Sequence, residues 1–207
     1  MIAIVDYGVG NLFSLKCSFS FVGENAVVTS DKTVIEKADK IVLPGVGAFG
    51  DAAEKLKAGK LDLLLKNEAK KGKQILGICL GMQLLFEKSY EYGEHEGLGL
   101  IPGVIRPLSD VVPAGLKIPH MGWNALSFSG EIHPLFKYLG EKDYVYFVHS
   151  YFADTPASYR IAETEYGVPV TAAAANGNVA GCQFHPEKSG ETGLKILKAF
   201  CQTEKKL

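Results

Sequence analysis

The chain has no Cys-x-x-Cys pair and no dense cluster of histidine with cysteine, although its 207 residues include four cysteines and five histidines. Cys17, Cys79, Cys182 and Cys201 stand far apart. That spacing argues against a zinc module or a disulfide framework and fits a reducing compartment. No metal ion and no cofactor is expected from the pattern. Neither sign of charge prevails: 22 Lys and Arg face 23 Asp and Glu, for a formal net charge of -1. The electrostatic footprint of a nucleic-acid or anionic-membrane binder is therefore missing. The longest uncharged run, residues 166–184, is broken by Pro169, Asn176, Asn178 and several glycines, and reads poorly as a membrane span. The first residues are apolar without a basic segment and soon meet Asp6, so no signal peptide is expected and a cytoplasmic protein is. One large domain, residues 1–207, can bury a substantial core without staples.

What the chain does have is a cysteine set between two glycines where one pattern gives way to another. Residues 74–78 form an apolar, partly β-branched run of strand length, and Met82, Leu85 and Phe86 recur at helical spacing just after it. Cys79 thus falls on a predicted strand-to-helix turn, with Gly77 and Gly81 two residues to either side. This is the spacing of a nucleophile elbow, whose strained backbone brings neighbours too close for side chains. The expectation is a sulfur exposed at the sheet edge, where helix N-terminal amides and the helix dipole favour a thiolate. The N–H of Leu80 would then point at a reacting carbonyl. Against this stands the ordinary fate of cysteine as a small buried hydrophobe.

Residues 1–5 read as a short strand ending at Asp6, and Tyr7-Gly8-Val9-Gly10-Asn11 leads into a helical pattern over 12–22. Gly8 and Gly10 suit a tight turn by default; a phosphate cradle is the weaker reading, because the third glycine and ribose acid of a dinucleotide site are missing. Strands are predicted over 25–29 and 40–43. The latter runs into Pro44-Gly45-Val46-Gly47, which reads equally as an oxyanion-binding strand and as an ordinary βα turn. A helix over 51–65 and a solvated basic connector over 66–73 precede the cysteine strand. This alternation predicts an α/β fold, a flavodoxin-like doubly wound and mostly parallel sheet. Asp6, the Gly45 loop and Cys79 all fall at carboxyl ends of its strands, where such sheets bind ligands.

The second half is more antiparallel. Short strands are predicted over 104–108, 123–128, 144–150 and 159–165, then over 168–174 and 179–184 joined through the hairpin signal Asn176-Gly177, with a closing helix over 191–201. His120 and His149 lie in aromatic-rich segments and are open to reading as bases or as interface residues, but a partly buried, hydrogen-bonded histidine is the commoner outcome and the preferred reading for each. His185 is preferred as the base, because Pro186 holds it extended and lets Glu187 reach its ring. A nucleophilic thiol needs a base that takes its proton and returns it to a leaving amine, and a carboxylate on the far nitrogen fixes the imidazole tautomer. Cys79, His185 and Glu187 form the candidate catalytic set, with Cys182 a packing residue.

These segments resemble the class I, triad-type glutamine amidotransferases, which combine Gly-x-Cys-x-Gly with a late His-Pro-Glu. Asp6-Tyr7-Gly8-Val9-Gly10-Asn11, Pro44-Gly45-Val46-Gly47, Gly77-Ile78-Cys79-Leu80-Gly81-Met82-Gln83, Pro119-His120-Met121-Gly122-Trp123-Asn124, Tyr146-Phe147-Val148-His149-Ser150-Tyr151 and Gln183-Phe184-His185-Pro186-Glu187-Lys188-Ser189 occur in order over essentially the whole chain. Within that superfamily they are most similar to the glutaminase subunits of imidazole glycerol phosphate synthase. Anthranilate-synthase-type glutaminases usually carry histidine where this chain has Met82, and the pyridoxal-phosphate-synthase type lacks the Trp123 segment.

The resemblance implies hydrolysis of L-glutamine to glutamate and ammonia through a thioester on Cys79. Leu80 and an amide of the Val46 to Gly47 loop would hold the oxyanion, and Gln83, Glu91, Ser150 and Tyr151 would bind the substrate's polar groups. It also implies a (βα)₈-barrel cyclase partner that receives the ammonia and forms imidazole glycerol phosphate and an aminoimidazole carboxamide ribonucleotide in histidine synthesis. Asn11, Trp123, Tyr146 and Lys188 would lie at that interface. The rival readings are a glutaminase of another pathway, a cysteine-dependent amidase or peptidase on the same fold, and an interaction module with a vestigial site.

Overall fold

In the first strand, β1 (Ile2–Val5), every residue is buried, and alternate side chains serve opposite faces of a sheet. Ala3 and Val5 join one core cluster, and Ile2 and Ile4 join another. The computed structural model, which describes residues 1–128, 130–140 and 143–203, continues this division through α1 (Leu12–Phe21), β2 (Ala26–Thr29), α2 (Lys32–Lys37), β3 (Lys40–Leu43), α3 (Phe49–Ala58), α4 (Leu61–Lys70) and β4 (Gln74–Ile78). Ile41, Leu43 and Ile75 pack with α2, α3 and α4. Val42, Leu76 and Ile78 pack with α1 and the last helix. Both faces of the sheet are thus covered, as near-continuous apolar parallel strands require. Residues 204–207 of the expected domain, with residues 129, 141 and 142, lie outside the described residues.

After β4 come α5 (Leu80–Leu84), the short strands β5 (Lys88–Ser89) and β6 (His95–Glu96), then β7 (Val104–Pro107), β8 (His120–Ala125), β9 (Tyr144–His149), β10 (Tyr151–Asp154), β11 (Arg160–Glu165), β12 (Pro169–Asn176), β13 (Val179–Cys182) and α6 (Gly190–Cys201). The main sheet runs β11-β12-β13-β4-β3-β1-β2. Its strands β2, β1, β3, β4 and β13 are mutually parallel, and their order is that of flavodoxin-like sheets. The outer strands β12 and β11 are antiparallel. Strands β10, β7, β5 and β6 form a small second sheet, and β8 pairs with β9. The parallel α/β reading and the antiparallel texture of the second half both hold.

Three expectations are corrected. The helix over 51–65 and the basic connector over 66–73 are in fact two helices, α3 and α4, divided where Lys60 takes a left-handed φ of 54°. Leu64, Leu65 and Ala69 continue the apolar stripe, so residues 66–70 of the expected connector are helical. Lys73 is buried rather than solvated: it pairs with Glu68 at 2.5 Å and donates to the carbonyls of Ile35 and Glu36. Helix α2, which periodicity did not reveal, starts on the Asp31 cap, whose carboxylate accepts from Thr33 N–H at 2.8 Å. The aromatic segment over 144–150 is one strand that ends at His149, and a separate strand starts at Tyr151.

Candidate active site

Strand β4 lies in the middle of the main sheet, and its carboxyl end carries Cys79 with φ 54° and ψ -112°. A β-carbon on Gly77 would sit 2.6 Å from the Gly81 carbonyl oxygen, and one on Gly81 would overlap the Leu43 carbonyl. Both glycines are thus required by packing, as the elbow reading anticipated. The backbone at the cysteine is tied down by Cys79 N–H to Cys182 O at 2.8 Å and Gln83 N–H to Cys79 O at 3.1 Å. Cys79 does not stand exposed at the sheet edge. It is 7% accessible and lines the cleft beside the loop that follows β3 and the turn that follows β13.

His185 follows β13, the parallel neighbour of β4. Its backbone is extended at φ -102°, ψ 98°, and Pro186 opens the short turn that carries Glu187. The His185 Nδ1 lies 2.8 Å from Glu187 Oε1, with both side chains buried. The backbone is held on three sides: His185 N–H donates to Tyr146 O, Ser189 Oγ to His185 O at 2.6 Å, and Tyr146 N–H to Ser189 Oγ. Burial works against the imidazolium, but Cys79 and Glu187 overcome it and push His185 up to about 9. Its Nε2 is buried, and the Cys79 sulfur is the group on that side that favours the ring's cation.

The cleft before these groups measures about 400 Å³. The structure brings Val46, Gly47, Leu80, Gln83, Glu91, Ser150 and Tyr151 to its wall together with Cys79 and His185, while Glu187 stands behind the imidazole. Three of these residues are already engaged, Gln83 through its NH2 to Tyr151 O at 3.3 Å and Gln183 Oε1 at 3.0 Å. Glu91 Oε2 accepts from Phe49 N–H at 2.5 Å, at the start of α3. Leu80 N–H, the expected oxyanion donor, gives its hydrogen to Gly45 O at 3.3 Å. The Tyr7 hydroxyl donates to Pro44 O at 2.7 Å, just before that carbonyl, and burial pushes its own ionisation upward.

The ring nitrogens of His120 and His149 are bonded to groups other than the thiol. Their rings are joined at 3.0 Å, His120 Nε2 faces Asn124 Oδ1 at 3.0 Å, and His149 Nδ1 donates to Tyr151 O at 2.8 Å. Burial holds His149 down to about 3, so it is neutral in the working range. The ring of His120 is stacked between Phe147 and Tyr166. Among the expected interface residues, Trp123 is 61% exposed and edge-on to Tyr146 at 4.8 Å, and Lys188 Nζ lies over the Tyr146 ring. Asn11 is exposed at the start of α1, without a side-chain cap bond.

Tyr92 and Pro119 line the cleft without having been singled out. Gln183 was missed in the same way: it is fully buried and donates from Nε2 to Cys79 Sγ at 3.8 Å. A signal for it was present, because in an extended chain residue 183 shares the face of residue 185.

Residues 3–203 match the family model described as glutamine amidotransferase class-I. The chain is similar to the imidazole glycerol phosphate synthase subunit HisH of Bacillus cytotoxicus, 49% identical over 200 residues, which cover 97% of this chain and 93% of that protein. It is likewise similar to the subunit of that name from Lactococcus lactis, 50% identical over 202 residues, covering 97% and 98%. Among solved structures, that of PurLQS from Thermotoga maritima aligns with a TM-score of 0.75 at 21% identity, over 97% of this chain and 96% of that chain, a likeness of fold alone.

Proposed function

The chain belongs to the class-I glutamine amidotransferases, and from that premise we propose that it is the glutaminase subunit of an imidazole glycerol phosphate synthase. It forms a single cytoplasmic domain that docks on a (βα)₈-barrel cyclase and delivers ammonia to it. The observation that carries the chemistry is the strained Cys79 at the end of β4, facing the same cleft as a buried His185–Glu187 pair joined at 2.8 Å.

In this reading Cys79 gives its proton to His185, and the sulfur attacks the side-chain amide carbon of glutamine. The C=O electrons move to oxygen, forming a tetrahedral oxyanion. When they return, the C–N bond breaks and His185 passes its proton to the departing nitrogen, which leaves as ammonia. A water then gives a proton to His185 and adds to the thioester, and collapse of the second oxyanion expels the sulfur and releases glutamate. Glu187 holds the imidazole tautomer and stabilises its cation throughout. Gln83, Ser150, Tyr151 and the unengaged oxygen of Glu91 bind the polar end of glutamine. Asn11, Trp123, Tyr146 and Lys188 meet the partner.

Leu80 N–H and the amide of Val46 or Gly47 stabilise the oxyanion, a service worth ~10²–10³ in rate per donor. Because Leu80 N–H is bonded to Gly45 O, that carbonyl must turn away first. Turnover by the isolated chain is accordingly expected to be slow and to rise with a cyclase partner and its nucleotide ligand. The test is glutamate release with and without both, beside Cys79→Ala. Partner-independent turnover would sink the subunit reading, and undiminished turnover in Cys79→Ala would sink the nucleophile.

A further inference from the structure

Gln183 is fully buried beside the nucleophile, and the steps above leave it without a task. Its backbone N–H is used by the sheet, donating to Ala172 O at 2.8 Å. Its side-chain amide is held in a chain of contacts that fixes which end faces the sulfur. A backbone carbonyl only accepts, so the Gln83 atom 3.3 Å from Tyr151 O is its NH2. The same nitrogen lies 3.0 Å from Gln183, which must therefore present its oxygen there. The NH2 of Gln183 is left pointing at Cys79 Sγ, 3.8 Å away. Turning the amide over would set two NH2 groups against each other and a lone pair against the sulfur.

We propose that Gln183 is a further catalytic residue: its NH2 donates to the Cys79 sulfur, favours the thiolate and aims it at the substrate carbon. It neither gives nor takes a proton. His185 supplies proton transfer from one side, and Gln183 supplies a fixed dipole from the other. Because Gln183 is oriented by Gln83, a wall residue of the cleft, the position of the sulfur is tied to the pocket that receives the substrate. This rests on Cys79 being the nucleophile.

The experiment compares the parent, Gln183→Met and Gln183→Asn, each in complex with the cyclase partner. Methionine matches the length but has no donor; asparagine keeps the amide but is too short to reach both Gln83 and the sulfur. Three quantities are read: the rate of Cys79 alkylation by iodoacetamide without substrate, the ultraviolet absorbance of the thiolate with Cys79→Ala as blank, and kcat and KM for glutamine. Loss of a hydrogen bond to a charged group predicts alkylation and kcat each lower by ~10-fold, with KM within ~2-fold of the parent and a smaller thiolate signal. A folded variant alkylated at the parent's rate overturns the proposal. Failure of both variants to fold also overturns it, since the amide would then be structural. Full activity of Cys79→Ala would remove the premise instead, an outcome separate from either.

Discussion

A β-carbon on Gly81 would run into the Leu43 carbonyl, whereas one on Gly47, in the loop that lines the same cleft, meets nothing within 4 Å. The elbow wall is backed by strand and helix atoms on every side: Gly77 is closed in by the Gly81 carbonyl and Met82, and Met82 and Leu80 are buried. The loop wall is open from Val46 onward, where the side chain is 43% exposed and Gly47 has φ +100°. Between the two lies Gly45, confined by the Tyr7 hydroxyl and Gly81 N, with its carbonyl on Leu80 N–H. On the proposed reading the nucleophile, Cys79, is thus held by packed backbone before substrate arrives, while the oxyanion site depends on a peptide that adjoins the open Gly47. Control of such an enzyme is cheapest at the loop, because altering the elbow disturbs the core.

The comparison is tested most severely by Gly81→Ala. Overlap with backbone cannot be relieved by a rotamer change, so a loss of ~4 kcal/mol or more, or failure to fold, is expected in chemical denaturation. A soluble Gly81→Ala variant melting with the parent would show that the elbow wall is not rigid.

Glu187→Gln should leave the fold standing and lower turnover by ~10²–10⁴-fold, because a neutral amide neither fixes the imidazole tautomer nor balances its charge. The sign of its pH effect is set by geometry. Glu187 and Cys79 raise His185 to about 9, so the proton owed to ammonia is present below that pH and is lost as the pH rises through it. The same shift stabilises the fold fully below the ~6.5 of a free imidazole, and that contribution fades toward the higher value. Removing Glu187 moves the alkaline limb of single-turnover ammonia release to lower pH. An unmoved limb would assign it to another group.

Trp123→Ala tests whether the exposed Trp123–Tyr146 pair belongs to the partner surface. Trp123 packs edge-on against Tyr146 and is largely exposed. Truncation should cost little stability but ~2 kcal/mol of partner affinity, about 30-fold in Kd. Titration calorimetry with the cyclase measures it, and unchanged affinity would remove Trp123 from the interface.

How far the sequence carried this reading follows the same division. Gly77, Cys79 and Gly81 were legible because an elbow is a local structure whose requirements fall within five residues. His185 and Glu187 were legible because proline fixes the backbone between them. The parallel sheet followed from alternation, but the break between α3 and α4 did not: it turns on a left-handed Lys60, a residue without a marked preference for that conformation. That His120 and His149 would be buried and hydrogen-bonded was legible, but not that they bond to each other across the β8–β9 pairing, a contact between positions 29 residues apart. The engagement of Leu80 N–H was hidden likewise, since it depends on how a loop after β3 lies against the elbow after β4.

Gly47→Ala asks whether the loop wall's room is what activation uses. A side chain at φ +100° is strained, at a cost of about 1–2 kcal/mol in a rigid setting. With open space around it the loop can relax, so a fall in Tm of only ~2–4 °C is expected, against the collapse predicted for Gly81→Ala. Relaxation would narrow the backbone conformations through which the Gly45 carbonyl leaves Leu80 N–H. Turnover by the isolated chain should therefore stay near the parent's, while the stimulated rate in the complex falls by up to one oxyanion donor's worth, ~10²-fold. Calorimetric melting and glutamate release with and without partner separate the two effects. If Gly47→Ala is stimulated as fully as the parent, the turning peptide lies elsewhere and the openness of this wall is incidental to control.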